Sequence, residues 1–198
     1  ALCVTHQIRN NIYQVYGVAG EERSLIQHIM FVAGRVALIN THSVAYMREF
    51  EKITIVSYWG DEKTVVTRDL KIQSFQTNRT NDMSLIIFPR EIRDHTDLRR
   101  HFVKNTDTVA MAELPACLIG MKNIGGKVIP NDRTTYARFE QLRNYSDDND
   151  RNYFGTVYSF ELNTVGGDCG SILVAHSTPV PRKILGFHCY GWGSIQGA

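Results

Sequence analysis

The chain is broken, almost end to end, into short runs rich in Val, Ile, Tyr and Phe that stop at turn residues. "IYQVYGV" (12–18), "SLIQHIMFV" (24–32), "RVALI" (35–39), "KITIVSYW" (52–59), "LKIQSF" (70–75) and "DMSLIIF" (82–88) fill the first half. "TYARFEQL" (135–142), "YFGTVYSFEL" (153–162), "SILVA" (171–175) and "KILGFHCYG" (183–191) dominate the second. Runs of about five residues, rich in β-branched and aromatic side chains and punctuated by turns, are strands. "GEER" (20–23), "WGDE" (59–62) and "IGGK" (124–127) supply hairpin tips. One stretch breaks the pattern. "PREIRDHTDLRRHFVKN" (89–105) is polar and charged and lacks period-two alternation. It reads as a linker over 89–104, carrying a short helix, between two β halves at 1–88 and 105–198. Each half holds about six strands, enough to close a small antiparallel barrel. The expectation is an all-β protein of two six-stranded antiparallel barrels, with a further short helical stretch after His42.

Composition narrows the function classes. With 43% hydrophobic and 21% charged residues, the chain can bury a core. It has no run of eighteen apolar residues, so no membrane span is expected. The first residues, "ALCVTHQIRNN", lack the layout of a signal peptide. The four cysteines, Cys3, Cys117, Cys169 and Cys189, form no CxxC pair, which argues against a zinc site. They read as reduced thiols of a cytosolic protein. A net charge of +2 is too small to imply nucleic acid by itself, so any such claim rests on local clusters.

The chemistry gathers at "TVGGDCGSILV" (164–174), where a thiol sits on a glycine-rich turn ahead of an apolar strand. A cysteine nucleophile needs a base, donors for the developing oxyanion, and exposure. Glycines at 166, 167 and 170 permit dihedrals that turn successive N–H groups into one concavity. The expected oxyanion hole is the backbone at Gly167, Asp168 and Cys169. His42, at the exit of a strand in "RVALINTHSV", is the candidate base. Asp82, at the mouth of "DMSLIIF", is the candidate acid that holds the imidazole, with Glu49, Glu51 and Asp61 as rivals. Asp168 is expected to order its loop or to face solvent. Cys3, Cys117 and Cys189 are assigned to the core. His6, His28, His95, His101 and His176 have no catalytic companions in sequence and are assigned surface or strand positions.

The order His42, Asp82, Cys169 is that of the chymotrypsin-type fold, and here a resemblance becomes specific. "GGDCGS" resembles that family's "GDSGG" with cysteine for serine, and "NDMSLIIF" resembles its "NDIALL". Thr164, Gly167, Cys169 and Gly170 match the "TxxGxCG" loop of the picornavirus-like 3C-type cysteine proteinases. Gly186, His188 and Gly191 in "GFHCYG" match their "GxHxxG". The resemblance spans nearly the whole chain, and the chain's departures from the family suggest a distant relative, from an insect-infecting virus of the picorna-like order. It implies a polyprotein-processing endopeptidase in the host cell cytoplasm, working without metal or cofactor. It also implies cleavage after Gln and before a small residue. Thr164 and His188 would pair the glutamine amide, with Gly186 beside them. The tail Gln196-Gly197 would be a self-processing junction. In the same family a basic "KFRDI" segment between the barrels binds viral RNA. Here Arg90, Arg93, Arg99 and Arg100 would make the phosphate contacts.

The chain departs from that family at Phe160, where a tyrosine usually steadies the pocket histidine. Tyr158, on the same strand face, is the candidate substitute. Two other readings stay open. One is an RNA-binding module on a protease-like fold. The other is a trypsin-like enzyme, although the position that needs a pocket acid holds Asn163.

Overall fold

The structure is a computed structural model. It describes residues 3–74, 82–104, 107, 113–146, 152–176, 182–189, 191–192 and 196–197. A short helix, α1 (Val4–Asn11), leads into β1 (Ile12–Ala19), β2 (Glu22–Ala33) and β3 (Val36–Ile39). Helix α2 (Thr41–Arg48) follows, then β4 (Lys52–Ser57), β5 (Glu62–Val66), β6 (Lys71–Ser74) and β7 (Ser84–Ile87). The second half holds β8 (Leu114–Ile119), β9 (Met121–Ile124), β10 (Lys127–Pro130), β11 (Arg133–Ser146) and β12 (Asn152–Glu161). It ends with β13 (Ile172–Ala175), β14 (Ile184–Phe187), β15 (Gly191–Trp192) and β16 (Gln196–Gly197).

The strands form two curled antiparallel half-barrels, ordered β5-β4-β1-β2-β3-β7-β6 and β14-β13-β8-β11-β12-β16-β15, with β9 and β10 as a separate hairpin. Among the described residues each sheet therefore carries seven strands rather than the six expected. In the second sheet the count includes two strands of two residues each, β15 and β16, which are too short to stand out as apolar runs. The hairpin tips fall where the glycines put them, with left-handed φ at Gly20, Gly60, Gly125 and Gly126.

Period-two alternation divides the interior into three clusters. Along β2, Ile29 and Phe31 point into the first half-barrel with Val15, Ile53, Ile86 and Phe88. Met30, between them, points the other way, into a cluster where Ile8 of α1 and Leu38 meet Ile119, Ile172, Val174 and Ile184 of the second sheet. On β13 the same rule sends Leu173 and Ala175 into the second half-barrel, with Leu114, Leu118 and Phe160. β2 and β13 are thus buried on both faces, which is why "IMFV" and "SILVA" are continuous apolar runs. Each such buried side chain contributes about 1.5–3 kcal/mol, so this shared cluster is what fixes one half-barrel against the other.

One segment departs from the sequence reading, and one meets it in its shortest form. Helix α1 was not expected, because it has no side-chain cap and buries only Ile8 and Asn11. Tertiary contacts hold it instead: Asn11 donates to the carbonyls of Phe31 and Thr96, at 2.8 Å each, and Arg9 pairs with Asp132 at 2.6 Å. The short helical segment expected in the linker is present as a single 3₁₀ turn, Arg99–His101. Its backbone is spent elsewhere. Gly34 and His95 exchange N–H···O bonds of 2.9 Å, Leu98 N–H reaches Val32 O at 2.8 Å, and Val103 N–H reaches Ile184 O at 2.9 Å. These bonds to both half-barrels leave room for no more than that one turn.

Candidate active site

The β3–β7 ladder brings the first two site residues together. Ile39 pairs with Ser84, so the end of β3 lies beside the start of β7. β3 turns at Asn40 directly into α2, and His42 stands in that helix's first turn rather than before it. The Asp82 side chain is buried, only 2% exposed, and every acceptor it offers is used. One oxygen takes the His42 N–H at 2.9 Å. The other takes His42 Nδ1–H in a short hydrogen bond and the Asn40 amide at 3.2 Å. Its carbonyl accepts Thr41 N–H at 3.2 Å. The imidazole is held at its backbone and at its ring, and of the acids considered it is Asp82 that holds it.

The other side of His42 meets the Cys169 thiol. Burial pulls the imidazole's pKa down, but the bonds to Asp82 and Cys169 outweigh it and raise it from an ordinary 6.5 to about 10. An imidazole so placed can carry a proton between a thiol and a leaving group.

The nucleophile loop is clamped from both half-barrels. Cys169 O accepts the main-chain N–H of His28 at 2.8 Å, and Gly170 N–H reaches His188 O at 2.7 Å. Gly170 has φ +81°, and a Cβ there would collide with the His28 carbonyl. Gly167 has φ +93°, and a Cβ there would collide with the Leu25 side chain. Both positions need glycine for close approach as well as for conformation. The Cys169 thiol lies 3.4 Å from the carbonyl of Cys189.

Asp168 is corrected on one count and clarified on another. Its N–H is bonded to Val165 O at 3.0 Å, which removes it from the three expected oxyanion donors. Among the described residues, no acceptor takes the N–H of Gly167 or of Cys169. The Asp168 side chain is 8% exposed and takes Val165 N–H at 2.9 Å and the Arg133 guanidinium at 3.5 Å. It orders the loop and does not face solvent.

His188 is 3% exposed, and Phe160 packs against it with ring centroids 5.5 Å apart. Tyr158, the suggested substitute, packs on Phe139 at 5.1 Å. Gly186 shares the His188 face of its strand, and the space beside its Cα is open. Thr164 is half-buried in the loop before the nucleophile, and no described hydrogen bond joins it to His188. Gln196 and Gly197 pair with Glu161 and Phe160 of β12.

Other assignments change. Cys3 is exposed rather than core, at the start of α1. Cys189 lies at the site, where its carbonyl meets the Cys169 thiol, and burial pushes its own thiol well above the usual range. His28 and His95 are buried and fully engaged. In the linker Arg93 donates to Asn10 O at 2.8 Å, and Arg99 pairs with Asp97 at 2.7 Å. Asp94 and Asp97 offset part of the arginine charge. Among the described residues no His, Cys, Asp and Glu cluster could hold a metal ion, and no helix is long and apolar enough to cross a membrane.

Two antiparallel half-barrels meeting over such a site define the fold of the chymotrypsin-like proteases, and this chain has it. Over an alignment of 206 positions that covers 95% of this chain, it is 25% identical to the replicase polyprotein of acute bee paralysis virus (strain Rothamsted). It spans about a tenth of that polyprotein, whose matched share is 10%. No family model matches. Among solved structures it is similar to tobacco vein mottling virus protease (TM-score 0.65, 13% identity, covering 100% of this chain and 80% of that one). It is also similar to a catalytically inactive tobacco etch virus protease complexed with substrate (TM-score 0.61, 14% identity, 97% and 78%). A third is the active form of the Rv3671c protease of M. tuberculosis (TM-score 0.65, 17% identity, 98% and 77%). Sequence and fold together are consistent with a viral 3C-type proteinase.

Proposed function

We propose that this chain is a cysteine endopeptidase that processes a viral polyprotein, cutting after glutamine and before a small residue. The observation that carries this is the placement of His42 between the buried carboxylate of Asp82 and the Cys169 thiol. With its raised pKa, His42 already holds the proton taken from the thiol when Sγ attacks the carbonyl carbon of the scissile bond. Negative charge then develops on the carbonyl oxygen, where the N–H groups of Gly167 and Cys169 would stabilise it. Imidazolium returns its proton to the leaving amine as the C–N bond breaks. Water, deprotonated by His42, attacks the thioester carbon, and the acid product leaves as Cys169 regains its proton. Asp82 keeps Nδ1 protonated throughout, so Nε2 faces the thiol.

Preference for glutamine rests on His188, whose burial beside Phe160 and next to open space at Gly186 suits one fixed hydrogen bond to an amide. Such a pocket rejects side chains that leave its polar group unpaired. RNA contact is left out of this proposal, because Arg93 and Arg99 have partners within the chain.

The test is cleavage of a Gln-Gly peptide by Cys169→Ala. The expected loss is about 10³-fold or more, the scale of removing a covalent nucleophile. Wild-type turnover by that variant would end the thiol reading.

A further inference from the structure

One buried titratable group beside this site is unused by the mechanism above. His28 is 1% exposed on β2, between Gln27 and Ile29. Its ring has a backbone partner on each side. Nδ1 lies 2.8 Å from the carbonyl of Gly167, and the N–H of Met121 points to Nε2 at 2.8 Å. Its main-chain N–H takes the carbonyl of Cys169 at 2.8 Å.

These partners select one neutral tautomer. Nε2 also lies 3.1 Å from the carbonyl of Met121, but the carbonyl of Gly167 can only accept, so in the neutral ring the proton sits on Nδ1 and Nε2 takes the Met121 N–H. Met121 is itself fixed, because Gln14 donates to its carbonyl at 3.0 Å. Burial, which pulls the His28 pKa down, favours the same neutral ring.

The consequence falls on the peptide joining Gly167 to Asp168. Its carbonyl is taken by His28, and its N–H is taken by Val165 O. Turning that peptide over would change ψ of Gly167 and φ of Asp168 and would break both of these bonds. This peptide lies between the N–H groups of Gly167 and Cys169, so its orientation helps set where both of them point.

We propose that His28 is a positioning residue that locks the Gly167–Asp168 peptide in the orientation that leaves the oxyanion donors usable. It never touches substrate. The inference rests on the cysteine-protease reading, and it assigns part of the active geometry to the opposite half-barrel.

The experiment compares His28→Asn, His28→Gln and His28→Ala with wild type. The Asn amide nitrogen reaches the place of Nδ1, whereas the Gln amide reaches that of Nε2. Two rates are measured for each: kcat on a Gln-Gly peptide, and alkylation of Cys169 by iodoacetamide, which needs no oxyanion hole. His28→Gln and His28→Ala are expected to lower kcat by about 10²-fold or more, as loss of one oxyanion donor does, with alkylation and KM unchanged. His28→Asn is expected to recover most of the kcat. Equal loss of cleavage and alkylation in all three variants overturns the inference, as does wild-type kcat in His28→Gln. If His28→Ala does not fold, the Asn and Gln pair decides the same question. Failure of the underlying reading looks different, since wild-type cleavage would then not depend on Cys169.

Discussion

Two histidines of the first half-barrel face the same loop of the second, and the chain uses them in opposite ways. His42 sits at a strand-to-helix junction, its side chain 29% exposed, against a buried carboxylate that raises its pKa to about 10. His28 sits in the middle of a strand, sealed from water between the carbonyl of Gly167 and the N–H of Met121, and burial keeps it neutral. The same side chain becomes a proton carrier in one place and a fixed strut in the other. The difference lies in what surrounds each ring: at His42 the bonds to Asp82 and Cys169 outweigh burial, whereas at His28 burial outweighs the backbone bonds that would raise its pKa.

The largest effect that could break this comparison is at His42. His42→Ala removes the base, and peptide cleavage is expected to fall by about 10²–10⁴-fold, read as kcat on the Gln-Gly peptide. Asp82→Asn comes next. It leaves the geometry but lets Nδ1 lose its directed acceptor, so kcat should fall by about 10²-fold or more while the protein stays folded. Undiminished kcat in Asp82→Asn would make His42 self-sufficient and remove the carboxylate from the account.

Gly170→Ala tests the clamp beside His28 by sterics. The added methyl meets a backbone carbonyl, which cannot move aside as a side chain can. A loss of about 2 kcal/mol or more in chemical denaturation is expected, with cleavage lost as well. Asp168→Asn is milder. It weakens the bonds to Val165 N–H and Arg133, and a loss of about 1–3 kcal/mol is expected from this buried charged acceptor.

The smallest effects are in the pH dependence of stability, and their signs differ. His42 has a folded pKa raised from 6.5 to about 10, so its contribution is complete below 6.5 and fades as pH rises toward 10. His95, stacked 3.8 Å from Phe31 and accepting from Tyr13 at 2.8 Å, is depressed from 6.5 to about 4, mainly by burial. Its contribution is complete above 6.5 and fades as pH falls toward 4. Thermal melts across this range should show a decline on both flanks. Asp82→Asn should flatten the alkaline flank alone.

Much of this was legible in the sequence because alternation and chain order carry it. The paired apolar runs dictate strands, and "DMSLIIF" places Asp82 at a strand mouth whose ladder partner ends beside His42. What was not legible depends on distant partners. Helix α1 has neither a capping side chain nor a wide apolar face, and its anchors, Phe31 and Asp132, lie far along the chain. The role of Asp168 depends on Arg133, thirty-five residues away. His28 left one signal: the polar pair Gln27-His28 interrupts an otherwise apolar strand, and buried polar side chains require partners. The sequence alone could not say that those partners belong to the nucleophile loop.

The central claim is that the two histidines divide labour between proton transfer and geometry. The most direct measurement sets cleavage against Cys169 alkylation in His42→Ala and in His28→Gln, side by side. The account predicts that His42→Ala loses both rates, whereas His28→Gln loses cleavage and keeps alkylation. The same ratio of the two rates in both variants would contradict it.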